Sequence, residues 1–192
     1  MLIGLSIGIL ASASIGSAAM SAALFTDQRT VNNTFTAGSI TLNAANIAAL
    51  SLTSTNVMPG DNITGSVVVQ NDGTSQLRYS LTTSSTNVDT KSLRTVLTLT
   101  IKGIDVTTPG VPCDNFDGAS IVAATVLFNG TTNVGFGSPT AGSQAGDRVL
   151  NAAANETLCL RVNLPSATGN AFQSASTTTT FTFDAEQTAN NP

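Results

Sequence analysis

A two-residue alternation of apolar and polar side chains constrains this chain more than any other feature. In "TVLTLTIKGI" Leu97, Leu99 and Ile101 fall on one side, and Val96, Thr98 and Thr100 on the other. Near the C-terminus Phe181, Phe183 and Ala185 alternate in the same way with Thr182, Asp184 and Glu186. Strand side chains point to opposite faces in turn, so such a pattern commits a segment to a sheet with one buried face. "SITLNA", "NIAALSL", "NITGSVVVQN", "LRYSLTTSS", "ASIVAATVLFN" and "TLCLRVNL" are further strand candidates. Turn signals separate them. "MPGD" (58–61) places Pro and Gly at the centre of a type II turn, and "NDGT" (71–74) is a second tight turn. "DTKSLRTV" (89–96) fits one helical turn capped by Asp89 or Thr90, and the Gly/Ser-rich stretch 128–146 reads as a long surface loop. Many short strands with polar turns predict an all-β fold, a jelly-roll-like antiparallel β-sandwich.

Composition excludes several functions. Charged residues are 9% of the 192 and the pI is near 4.4, and the seven basic residues are scattered, so no basic patch exists to meet nucleic-acid phosphates. Histidine is absent, which removes Ser–His–Asp and Cys–His catalysis and the HExxH zinc motif. The one tight acidic group is "CDNFDG", where Asp114, Asn115 and Asp117 offer oxygens for Ca²⁺ or form an Asx-rich turn. No cofactor is expected. Two cysteines, Cys113 and Cys159, most simply form a disulfide in an exported chain, with two free thiols as the alternative. In "TLCLRVNL" Cys159 shares its face with Arg161 and Asn163, opposite Leu158 and Leu160.

The first 26 residues carry no charge. They offer the apolar stretch of a secretory signal, and Ser21-Ala22-Ala23 supplies small residues for a cut between Ala23 and Leu24. The basic n-region is missing, which is expected of a start upstream of Met1 or of a clipped copy; a retained anchor is the alternative to cleavage. The organisation expected is a signal segment 1–23, an N-terminal strand segment 24–42 and a sandwich 43–192, with signal peptidase as the export partner. Asn32, Asn62, Asn129 and Asn155 each head an N-x-S/T sequon and are N-glycosylation candidates in a host that glycosylates exported proteins.

Three blocks occur in order: "LFTD" after the small-residue cut, running to "NNTFTAGSITL"; "LTSTNVMPGDNITGSVVVQNDGTSQLRYSL" (52–81); and "TFTFDAEQTAN" (180–190). Together they resemble the TasA/camelysin family of secreted biofilm-fibre proteins, which includes archaeal bundling-pilus subunits. The resemblance implies a structural subunit of an extracellular filament. In such a filament the N-terminal segment of one copy completes a sheet of its neighbour by donor-strand complementation. The partner is then the chain itself, head to tail, with neighbouring filaments or other matrix proteins beside it. Leu24, Phe25, Val31 and Phe35 are the expected donor-strand anchors; the alternative is that residues 24–42 are simply the first strand of their own sandwich. A monomeric or lattice-forming adhesion or surface-layer module is the alternative. Family members are also described as metalloproteases, and a chain without histidine is a poor match to that activity.

Overall fold

The computed structural model describes residues 37–48, 56–104, 111, 113–125, 128, 132–189 and 191. The chain divides into two units, Met1–Ala37 and Gly38–Pro192, and every described element belongs to the second. These elements are a short helix α1 (Ala44–Ala48) and strands β1 (Asn62–Gln70), β2 (Leu77–Ser85), β3 (Thr98–Gly103), β4 (Ser120–Thr125), β5 (Asn133–Phe136), β6 (Arg148–Leu150), β7 (Asn155–Asn163) and β8 (Thr179–Gln187). They form two packed antiparallel sheets. One has the order β1-β7-β3-β4; in the other β2 is central, with β5 and β6 along one edge and β8 along the other.

The alternation seen in the sequence becomes the core. Val67, Val69, Leu99, Ile101, Leu158 and Leu160 of the first sheet meet Leu77, Tyr79 and Leu81 of the second, all almost fully buried. Burying side chains of this size contributes about 1.5–3 kcal/mol each, the main term holding the sheets together. Phe181, Phe183 and Ala185 of β8 pack against this core but are only partly covered. The Pro59-Gly60 turn forms as expected: Asp61 N–H donates to Met58 O at 2.9 Å, and Gly60 takes φ +99°, which a side chain disfavours.

Five expectations change. "SITLNA" contributes only an isolated bridge between Leu42 and Asn71, and α1 replaces the start of the "NIAALSL" strand. The local cause is Asn43, whose side-chain oxygen accepts the Asn46 N–H at 3.0 Å and caps the helix. "NDGT" forms a corner between sheets, since β1 and β2 pair with different partners. Asn71, fully buried, stabilises that corner by donating to Ser75 O at 2.9 Å and accepting Gly73 N–H at 2.9 Å. The helical turn at Leu93–Thr95 is a 3-10 turn preceded by Ser92, so neither Asp89 nor Thr90 caps it. The stretch 128–146 is no simple surface loop. It contains β5, and both Phe128 and Phe136 are buried, the latter edge-to-face on Tyr79 with ring centroids 5.6 Å apart. Residues 137–142 lie over the outer face of β2 and β8, where a side chain at Gly137 would come within 2.9 Å of Ser80 Cβ and the Gly142 N–H donates to Glu186. Arg78, Ser80 and Thr82 are buried there although they point away from the core.

Candidate functional site

β4 lies against β5 on one side of the sandwich. The other side is therefore edged by β1 and β8. Among the described residues β2 is the only strand paired with β8. Thr86 N–H donates to Thr178 O, and Thr188 N–H to Gln76 O. In antiparallel pairing these bonds alternate, so the even-numbered residues of β8 are turned to β2. The N–H and C=O of Thr179, Phe181, Phe183, Ala185 and Gln187 are turned away from β2, and no strand among the described residues takes them up. The same odd-numbered residues direct their side chains to the core. This edge offers backbone hydrogen bonds and a partly covered aromatic surface together.

A groove of about 970 Å³ runs between the sheets on this side. Ile63, Leu97, Val162 and Leu164 line it from the first sheet and its approaches, and Phe128 and Phe181 from the opposite side. The two rings contact edge-to-face, with centroids 6.4 Å apart. Its lining is aliphatic and aromatic where the sheets supply it and largely polar along residues 168–179, and among the described residues no charged one touches it. Such a surface suits a strand with apolar side chains on one face.

The groove occupies one end of the sandwich, at the beginning of β1 and β8 and the end of β7. Gly38, where the sandwich unit begins, lies at the other. Thr74 N–H donates to Ser39 O at 2.8 Å, Asp72 N–H to Thr41 O at 2.7 Å, and Asn43 N–H to Gln70 O at 3.0 Å. The nine residues of β1 separate the two places, about 27 Å at strand rise. Residues 38–42 of the expected N-terminal strand segment are thus fixed to the sandwich corner.

The expected anchors Leu24, Phe25, Val31 and Phe35, the cut at Ala23, and the sequons at Asn32 and Asn129 lie outside the described residues. Asn62 and Asn155 are exposed at the beginnings of β1 and β7. Cys113 and Cys159 are bonded, with Cα atoms 5.4 Å apart. Cys159 faces away from the main core yet is fully buried, because Cys113 and Phe116 cover it as a small second cluster. The Arg161 guanidinium lies 3.9 Å from the Phe116 ring centroid, and Lys102 Nζ donates to Phe116 O at 2.8 Å. Asp114 accepts the Asn115 N–H and Asp117 the Asn115 amide, so both carboxylates bond within this turn.

Two charged clusters lie outside the groove. Glu156 takes both a bidentate grip from Arg148, at 2.5 and 3.0 Å, and the Tyr79 hydroxyl. Glu186 pairs with buried Arg78 at 2.5 Å and accepts the Gly142 N–H at 3.0 Å, and the Arg78 hydrogen bond holds its carboxyl below the ordinary range. Both tie strands and loops together.

Residues 3–95 match the family model described as camelysin metallo-endopeptidase. No curated protein matches the chain. The donor set does not fit the zinc ion which that description implies. There is no histidine, both cysteines are in the disulfide, and no three carboxylate or thiol side chains converge among the described residues. No helix among the described residues is long and apolar enough to cross a membrane.

Proposed function

This chain belongs to the TasA/camelysin family, and on that premise we propose that it is a secreted structural subunit of an extracellular filament. Residues 24–36 of one copy add as a strand beside β8 of the next and seat their apolar face in the groove. The observation that carries this reading is that, among the described residues, β8 pairs on one side only, and that its first residues, Thr179 and Phe181, line the groove. Six to eight backbone bonds contribute roughly 0.5–1.5 kcal/mol each, and burial of Phe25 and Phe35 adds about 1.5–3 kcal/mol apiece. The chain enters the sandwich at the end remote from the groove. Such a joint is heterologous and head to tail, and repeats without closing. No catalytic role is part of this reading, because the chain has no histidine to hold zinc.

The test is a chain lacking residues 24–36, purified beside the chain that begins at Leu24 and viewed by electron microscopy. The longer chain is expected to form filaments, and the truncated one to keep its β-sheet circular dichroism without elongating. Normal filaments from the truncated chain would rule out donation by this segment.

A further inference from the structure

The segment joining β7 to β8, residues 165–178, forms one wall of the groove through Thr168, Phe172, Ala175 and Thr177. None of its residues is fully buried and none is charged, so apolar packing holds it only weakly and no ion pair does. Hydrogen bonds to the turn after β2 do. The Asp89 carboxylate accepts the Ser176 N–H at 2.5 Å and the Ser176 hydroxyl at 3.3 Å. Lys91 Nζ donates to Gln173 O at 2.7 Å, and the Thr177 hydroxyl to Thr86 O at 2.9 Å. Asp89 also accepts the Lys91 N–H at 3.0 Å, which sets the turn that presents both side chains.

Backbone strain surrounds this clasp. Thr90 and Ser92 on the turn take φ +62° and +61°, and Ser174, between the two clasped points of the wall, takes φ +58°. Non-glycine residues keep left-handed backbone only where their surroundings impose it, and such positions gather at clamps and switching segments. Opening the clasp removes that constraint on Ser174, and a buried polar atom of the wall, the Thr168 hydroxyl, has no hydrogen bond to lose.

We propose that residues 165–178 are a flap over the groove, latched by Asp89 and Lys91, which opens to admit a strand and closes to retain it. Its effect on assembly rests on the groove being the acceptor proposed above; the latch itself does not. The latch governs exchange of the strand, and the apolar lining governs its affinity.

The experiment compares the chain beginning at Leu24 with its Asp89→Ala and Lys91→Met variants. Hydrogen exchange is followed by mass spectrometry, and subunit loss from diluted filaments by sedimentation. Both variants are expected to exchange amides of 165–178 about tenfold faster, as for loss of one charge-assisted bond, with β2 and β7 unchanged. Their filaments are expected to shed subunits faster by a similar factor. Unchanged exchange in 165–178 overturns the latch. Faster exchange with unchanged subunit loss overturns its control of the groove. If the unsubstituted chain forms no filaments, the assembly reading fails by itself, and the exchange comparison still decides the latch.

Discussion

Tyr79 is the only tyrosine in the chain, so a single buried phenol can be followed by absorbance. It packs at the centre of the core and donates to a Glu156 already held by Arg148. Burial first, and then the Glu156 hydrogen bond and charge, push its pKa far above the ordinary value of 10.0. A raised folded pKa means that the neutral phenol stabilises the fold fully below the ordinary value and progressively less above it. Phenolate absorbance is therefore expected to appear only together with loss of the β-sheet circular dichroism as pH rises past 10. A phenolate titrating with an ordinary midpoint in an intact sheet would show that the hydroxyl is open to water. At this scale the sequence is a partial guide. The alternation in β3 and β8 marks which side chains turn inward, but Glu156 is 77 positions from Tyr79, and nothing local announces such a partner.

The strands and their covering loops carry different kinds of signal. β3 and β8 were legible because each buries one face, and "MPGD" because its turn chemistry is local. β5 was hidden: Gly135 and Gly137 make "NVGFG" look like loop, yet the glycines are there because Leu81, Ser80 and Asp147 crowd them. Helix α1 was hidden by a run of alanine and isoleucine that suits either state, and only its Asn43 cap gave a local signal. Burial of Cys159 on an outward face needed the Cys113–Phe116 turn, which no pattern places. That disulfide closes a separation of 46 residues, for which loop-closure entropy gives about 4 kcal/mol. A Cys113→Ser, Cys159→Ser variant is expected to lose about that much in denaturant unfolding. It should still assemble, since the bond covers the outer face of the first sheet and the groove lies on the inner one. Loss of filaments at conditions where the variant remains folded would show instead that the outer face takes part in the joint.

For the whole molecule, donor segment and groove are separable features of one chain, and this allows a test of polarity that neither part permits alone. The resemblance carried by the three sequence blocks suggested strand donation. The groove itself was not legible, because Ile63, Leu164 and Phe181 come from three distant strands or their ends, and no single segment shows that they come together. A chain lacking residues 24–36 keeps its groove but has nothing to donate. A Thr179→Pro, Phe181→Asp variant keeps the donor segment but loses its acceptor. Proline at 179 removes an N–H turned away from β2 and costs no backbone bond to that strand, only the hydroxyl pair with Ser85, and an aspartate at 181 sets an unpaired charge where an apolar side chain would seat. Neither variant alone should elongate. Mixed, they should form a one-to-one dimer and stop, because the donor segment of the second fills the groove of the first and no usable pair remains. Sedimentation of the mixture decides: filaments would mean that another surface drives growth, and no association would mean that the two parts do not recognise each other. Each variant added in small amount to the unsubstituted chain should shorten filaments from a different end, which follows only if every joint points the same way.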